Sequence, residues 1–153
     1  THYLKPDTSL YFNKDDYNTQ METSLARYAD QTTIKITDEN YLEVMELIYT
    51  YPSEFIGKKV SYEGFVYHQD QDDDNEIFLL RFGIIHCGAV SGVFGLRVEL
   101  PADTQTKNNQ WLQVEGTIQS QYYAPFKRDL PMVVVDQSST IDAPDNQYVY
   151  RAF

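Results

Sequence analysis

The sequence predicts a mainly β fold, a five-stranded OB-like barrel preceded by one helix. Two observations favour this class. After Gly57, apolar residues recur at every second position in several short runs, which is typical of strands with one buried face. Two of these runs, 60–66 and 112–118, resemble each other and carry a glycine at the same place. A glycine inside a strand permits the sharp bend that lets one strand serve both halves of a small closed barrel.

Five segments have the strand pattern. Small residues between positions 88 and 92 interrupt the pattern before the third strand, and a turn-rich segment, 122–131, separates the fourth from the fifth. The second segment is apolar at consecutive positions, which indicates burial on both faces. The predicted strands are 60–67, 77–85, 95–100, 111–119 and 132–135, the last extending toward Ile141.

An amphipathic helix is predicted over residues 37–51, immediately before the barrel. A capping residue, Thr37 or Asp38, begins it, and Pro52 prevents its continuation. Its apolar positions recur at spacings of three and four, so one face should pack on a core. The usual OB helix between the third and fourth strands has no room in 102–109, and we expect the N-terminal helix to close the barrel end instead.

Residues 1–36 are predicted to form an N-terminal arm, and residues 37–153 the barrel domain with its preceding helix. The arm is rich in polar residues and lacks sustained periodicity. Met21, Leu25 and Tyr28 nevertheless fall at helical spacing, and 32–36 has the character of a short strand. The arm is therefore expected to be extended or partly helical.

The charge balance disfavours nucleic acid as a partner. The formal net charge is −11 at neutral pH, and the twelve Lys and Arg residues are not gathered in one patch. A polyphosphate would meet a repulsive field unless basic residues converged in the fold. A single-stranded nucleic-acid-binding OB module remains a second alternative, which requires a basic groove.

Membrane attachment is not visible in the residues present. No run approaches the ~18 consecutive apolar residues that cross a bilayer. The chain begins at Thr1 without a methionine, which is compatible with a membrane anchor upstream.

The acidic segment 70–76 is the first candidate for ion binding. Acidic residues two apart can converge oxygens on calcium, but Asn75 stands where the loop glycine of an EF-hand belongs, and Arg81 where its bidentate glutamate belongs. We interpret this segment as the solvated tip of a hairpin.

The second candidate is a transition-metal site at His86 and Cys87. Neighbours on a strand point to opposite faces, although a bulge at Gly88 would relax this, and a lone cysteine is commonly a buried structural residue. Tyr67 and Tyr122, with His86 and Cys87, are the candidate ligand-binding residues, because tyrosines of a barrel face can stack on a ligand. Neither a nucleophile elbow nor a phosphate-binding loop occurs in the sequence, so no enzymatic activity is predicted.

An ordered set of motifs resembles the YcgQ-like family of permease subunits. The similarity runs across most of the chain after about residue 50. The residues that carry it are Phe55-Ile56-Gly57-Lys58-Lys59-Val60, Gly64-Phe65-Val66-Tyr67, Leu80-Arg81-Phe82, Cys87, Gly95-Leu96, Trp111-Leu112-Gln113-Val114-Glu115-Gly116 and Tyr148-Val149-Tyr150.

The resemblance implies a subunit that works beside a multi-spanning membrane permease. It also implies membrane-spanning helices upstream of this segment and a soluble C-terminal domain on the outer side of the cell membrane. The family pattern has two adjacent cysteines followed by a small residue, Ala and Asp, whereas this chain has His86 in place of the first cysteine and Val90 in place of the aspartate.

The leading hypothesis is a non-enzymatic binding or assembly module of a permease complex, with no resident cofactor. The alternative is a metal-handling accessory domain that uses Cys87 and His86 for a transition metal.

Overall fold

Seven strands and two α-helices make up the computed structural model, which describes residues 5–69, 72–85 and 90–151. Short 3-10 turns connect some of them. In chain order the elements are α1 (Lys14–Tyr28), β1 (Thr33–Lys35), α2 (Tyr41–Thr50), β2 (Lys59–Tyr67), β3 (Glu76–Ile85), β4 (Val90–Glu99), β5 (Trp111–Tyr123), β6 (Arg128–Ile141) and β7 (Tyr148–Arg151).

Strands β2 to β6 close into a five-stranded barrel. Around the barrel the order is β2, β3, β4, β6, β5 and back to β2. Four of the five pairings are antiparallel, and β4 pairs with β6 in parallel. Outside the ring, β1 pairs with β2 and β7 pairs with β3, both in parallel. The predicted mainly β, five-stranded barrel is confirmed, with two additional strands.

The two similar runs of the sequence pair with each other. Val60 lies opposite Gly116, and Gly64 lies opposite Leu112, so the glycine of each run faces the first residue of the other. A β-bulge between Glu115 and Gly116 bends β5 there. A Cβ at Gly116 would lie 2.2 Å from the carbonyl oxygen of Val134, so the strands approach each other too closely for any side chain.

The structure corrects the bounds of three strands. Strand β4 begins at Val90 rather than at residue 95, because Gly92 lies inside the strand opposite Gly83. The ring of Phe94 fills the space where side chains at these two glycines would stand. Strands β5 and β6 are longer than predicted, since their hairpin continues through the turn-rich segment to the pair Tyr123 and Arg128. Strand β7 was not predicted.

Helix α2 is shorter than the predicted 37–51. It begins at Tyr41, because residues 38–40 form a turn in which the side-chain oxygen of Asn40 accepts from the backbone N–H of Thr37 at 2.7 Å. It ends at Thr50, before Pro52. The hydroxyl of Tyr41 donates to the carbonyl of Phe94 at 2.8 Å, which ties the helix to β4.

The arm contains more regular secondary structure than predicted. Helix α1 spans fifteen residues and buries Met21 and Tyr28, two of the three apolar residues that predicted it. The amine of Lys58 donates to the carbonyls of Tyr28, Ala29 and Gln31 at 2.6–3.0 Å, which satisfies acceptors at the end of that helix. The predicted strand at 32–36 is confirmed as β1. Among the residues described, neither helix is long and apolar enough to cross a bilayer.

Two hydrophobic clusters lie on opposite faces of β3. The larger one fills the barrel and holds the buried face of α2, with Ile77 and Leu79 from β3. The smaller one includes Phe78 and Leu80 from the other face of the strand, together with Trp111. The predicted burial of β3 on both faces is therefore confirmed.

A buried carboxylate joins the arm to α2. Glu46 accepts hydrogen bonds from the backbone N–H of Thr8 at 3.0 Å, from the Thr8 hydroxyl and from the Tyr17 hydroxyl at 2.9 Å. Burial raises the pKa of Glu46 from its ordinary value of 4.5, although these hydrogen bonds act in the opposite direction.

Glu46→Gln should make the stability less dependent on pH. Because the pKa of Glu46 is higher in the folded state, the folded protein binds a proton at this carboxylate more tightly than the unfolded chain does. The resulting stability is present below pH ~4.5 and is lost as the pH rises through the folded pKa. The variant lacks this contribution, so its free energy of unfolding should change less between about pH 4 and pH 7. Urea unfolding at several pH values checks this, and equal pH slopes in both proteins would contradict it.

Candidate functional site

Arg81 is a buried arginine in the middle of the apolar strand β3. The pairing between β2 and β3 ends at Phe65 and Leu80, so Arg81 is the first residue of β3 after the two strands separate. Its side chain is 2% exposed. The geometry of the barrel therefore places a guanidinium where β2 and β3 diverge.

The guanidinium of Arg81 is only partly satisfied. Nη1 donates to Oδ1 of Asp38 at 2.9 Å, while Nε and Nη2 are buried and have no hydrogen-bond partner within the described part of the chain. The rings of Tyr41 and Trp111 lie 5.8 Å and 5.3 Å from Cζ. Buried donors are almost always paired in proteins, so two unpaired ones favour an acceptor that is not among the described residues.

A pocket of about 220 Å³ lies beside Arg81. Its walls come from the segment 35–38, from Tyr41 at the start of α2, and from side chains of β2 and β5. Two cations, Lys35 and Arg81, and two carboxylates, Asp38 and Glu63, line it. The other polar lining residues are Thr37, Ser61 and Gln113.

The segment that carries Asp38 is held in place by local hydrogen bonds. Besides accepting from Thr37, the Asn40 side chain donates to the carbonyl of Lys35 at 3.2 Å. The N–H of Ile36 donates to the carbonyl of Ser61 in β2 at 2.9 Å. Burial raises the pKa of Tyr41 well above 10, so its hydroxyl stays protonated and keeps its bond to β4 while its ring faces Arg81. The pocket wall is thus fixed by backbone contacts.

The residues predicted from the sequence as ligand-binding are not the ones that form this pocket. Tyr67 ends β2 and Tyr122 lies near the end of β5, and both are exposed, but neither lines the pocket. His86 and Cys87 lie outside the described residues. Binding by these four residues stays a prediction.

The predicted metal site is likewise untested. Within 5–69, 72–85 and 90–151, no group of three or more His, Cys, Asp or Glu is placed to hold a metal ion. Since His86 and Cys87 are not among these residues, a transition metal at that pair stays a prediction.

The acidic segment contains a buried ion pair that was not predicted. Asp72 is 7% exposed and accepts from Arg97 Nη1 at 2.7 Å, and Glu76 accepts from Arg97 Nη2 at 2.6 Å. The Arg97 guanidinium, 3% exposed, lies 4.1 Å from the ring centre of Tyr123. The interpretation of the whole segment as a solvated tip is wrong at Asp72, because that carboxylate is the partner of a buried cation.

Sequence reasoning did not select Arg81 as a site residue, although a signal was present. The residue interrupts the run Ile77-Phe78-Leu79-Leu80-Arg81-Phe82-Gly83-Ile84-Ile85, which was predicted to be buried on both faces. A charged residue in such a strand needs a partner from elsewhere in the chain or from a ligand. Asp38, which supplies one partner, lies in another part of the sequence.

Most of this chain matches a known protein family. The profile of the "DUF1980 C-terminal domain" matches residues 11–151. The chain belongs to this family. Arg81, Asp38 and the rest of the pocket wall all lie within the matched part of the DUF1980 C-terminal domain.

Two curated relatives agree with this assignment. The chain is 46% identical over 153 residues to "UPF0703 protein YcgQ" of Bacillus subtilis, and all of the chain and 54% of that protein are covered. It is 46% identical over 151 residues to the "Putative two-component membrane permease complex subunit" of Streptococcus mutans, with 99% of the chain and 55% of that protein covered. This DUF1980 C-terminal domain thus spans about half the length of both relatives.

One solved structure is weakly similar. The N-terminal domain of PriB protein from Thermoanaerobacter tencongensis is 12% identical, with a TM-score of 0.33 over 55% of this chain and 96% of the other. That similarity is too low to support a conclusion about the DUF1980 C-terminal domain.

Proposed function

We propose that this domain is a non-enzymatic binding module of a membrane permease complex subunit, and that the Arg81 pocket is its binding site. The observation that carries the proposal is the buried guanidinium beside a solvent-reaching pocket, with two donor nitrogens for which no described residue supplies an acceptor. A fixed cation surrounded by fixed polar groups recognises a ligand by complementary hydrogen bonds and needs no chemical step.

The relative from Streptococcus mutans supports the membrane complex as the setting of this function, since its name describes a complex subunit. In the proposal the other component spans the membrane several times, and this domain lies on the outer side. Protease treatment of intact cells that carry the full-length protein checks the side, because an outer domain is cut and an inner one is protected. The net charge of −11 supports a partner other than nucleic acid.

The binding function predicts that the folded domain retains a small molecule through Arg81. The chain is incubated with a protein-free metabolite extract of Bacillus subtilis, desalted and unfolded, and the released compounds are identified by mass spectrometry. We expect the native chain to retain at least one compound in near-equal amount and Arg81→Met to retain none. The variant should still fold, because Asp38, the partner that loses its cation, is 57% exposed and can regain water.

Lys59→Met is the matched control, since it also removes a cation but from a half-exposed ion pair with Asp136. It should retain the same compound as the native chain. Retention of nothing by the native chain, or equal retention by Arg81→Met, would reject the proposed binding function.

A further inference from the structure

We infer that the Arg81 pocket binds the carboxylate of a small zwitterionic molecule, of the chemical class of a free amino acid. The inference rests on the proposed binding function and names the class of ligand. Three properties of the pocket lead to it: the direction of the free donors, the balance of charge and the size.

The two unpaired nitrogens of Arg81 are the pair that fits a carboxylate. In any arginine the N–H of Nε and one N–H of Nη2 point to the same side and run nearly parallel, at a spacing that matches the two oxygens of a carboxylate. Here Nη1 is occupied by Asp38, and Nε and Nη2 are the free atoms. The structure therefore leaves the two donors that can form parallel hydrogen bonds buried and without an acceptor among the described residues.

The charges around the pocket favour a ligand that carries both signs. Lys35 and Arg81 are balanced by Asp38 and Glu63, so a doubly charged anion such as phosphate would meet two carboxylates. A zwitterion places its carboxylate on Arg81 and its ammonium near the carboxylates. Glu63 lies on β2 opposite Gln113, at the exposed side of the wall, where it can receive that ammonium.

The volume favours a small ligand. The pocket, about 220 Å³, is smaller than the ~300–1,000 Å³ typical of pockets for drug-sized ligands. This size suits a molecule as small as an amino acid.

Asp38 holds Nη1, on the side of the guanidinium that the proposed ligand does not use. Its side chain is 57% exposed, whereas Arg81 is 2% exposed. Asp38 therefore keeps the guanidinium in place while the proposed ligand bonds to Nε and Nη2.

The test is calorimetric titration of the purified chain with L-glutamine, acetate, inorganic phosphate and methylammonium. We expect glutamine to bind, acetate to bind about tenfold more weakly because it lacks the ammonium, and phosphate and methylammonium to give no heat. Arg81→Met should abolish binding of glutamine. Arg81→Lys should weaken it about tenfold, because an ammonium cannot form the two parallel bonds.

Glu63→Gln separates the two ends of the ligand. It should weaken glutamine binding severalfold and leave acetate binding no weaker, because only glutamine presents an ammonium to Glu63. Asp136→Asn is the matched control, since Asp136 is a half-exposed carboxylate in the ion pair with Lys59, and it should change neither affinity. Circular dichroism establishes that each variant is folded, and if Arg81→Met does not fold, Arg81→Lys and Glu63→Gln decide.

Each other outcome overturns the inference in a recognisable way. Phosphate binding stronger than glutamine binding would indicate a general anion site. If glutamine still gives the native binding heat with both Arg81 variants, the ligand binds elsewhere. If none of the four probes binds while the metabolite experiment yields a compound without a carboxylate, the ligand class is wrong and the binding function stands. If neither experiment detects a ligand, both are rejected.

Discussion

Gly116→Ala is expected to lower the free energy of unfolding by about 3 kcal/mol, the upper range for forcing an extra group into a packed interior. The added Cβ would lie 2.2 Å from the carbonyl oxygen of Val134, and a backbone oxygen cannot move aside as a flexible side chain can. The bulge between Glu115 and Gly116 would have to shift, and with it the pairing between β5 and β6. Urea unfolding followed by circular dichroism measures the change.

Gly57→Ala is the control that separates a steric clash from backbone strain. Gly57 has a φ of +88°, which disfavours alanine, but no atom lies within 4 Å of the position of a Cβ there. Its cost should be about 1 kcal/mol, the penalty for a left-handed backbone at one residue. If Gly116→Ala costs no more than Gly57→Ala, the close approach of β5 and β6 does not limit the stability of the barrel.

Arg97→Met is expected to destabilise the domain by about 3 kcal/mol, because it removes the cation from between two carboxylates. Asp72 is 7% exposed and would keep a buried charge whose remaining side-chain donor, within the described part of the chain, is the Tyr123 hydroxyl, 3.1 Å away. Glu76 is 25% exposed and can regain water, which keeps the loss near the lower end for a broken buried pair. The methionine also loses the stacking of the guanidinium on Tyr123.

The half-exposed pair of Lys59 and Asp136 provides the comparison for this prediction. Lys59→Met breaks an ion pair of 3.2 Å in which both side chains contact water, and it should change the stability by no more than about 0.5 kcal/mol. Adding Asp72→Asn to Arg97→Met should restore about 1 kcal/mol, because a neutral amide costs less to bury. Equal losses of stability in Lys59→Met and Arg97→Met would show that burial does not strengthen the ion pairs of Arg97 with Asp72 and Glu76.

The barrel could be predicted from the sequence because the patterns that indicate it lie within short segments of the chain. Alternation of apolar residues indicates a strand with one buried face, and the two matching runs with Gly64 and Gly116 indicate the bends that a closed barrel needs. Both signals lie within single strands. Helix α2 could be predicted for the same reason, although its start could not, since Asn40 and Thr37 form a turn that competes with the first helical turn.

The Arg81 pocket could not be predicted because its parts come from distant segments. Arg81 stands in β3, Asp38 before α2, and Gln113 in β5. Only closure of the barrel and the pairing of β1 with β2 bring them together. The same is true of Arg97, whose partner Asp72 lies in a segment that its composition alone assigns to solvent. The sequence pattern does indicate two arginines in apolar strands, but it does not identify the carboxylates that pair with them.

Closure of the barrel also determines how the sheet meets other chains. In a closed ring every member strand has a neighbouring strand on both sides, so in the described part of the chain only β1 and β7 stand at the ends of the sheet order. These strands are three and four residues long. Short edges offer little template for edge-to-edge association. The two ends of the sheet order therefore present little backbone to which a second copy could add a strand.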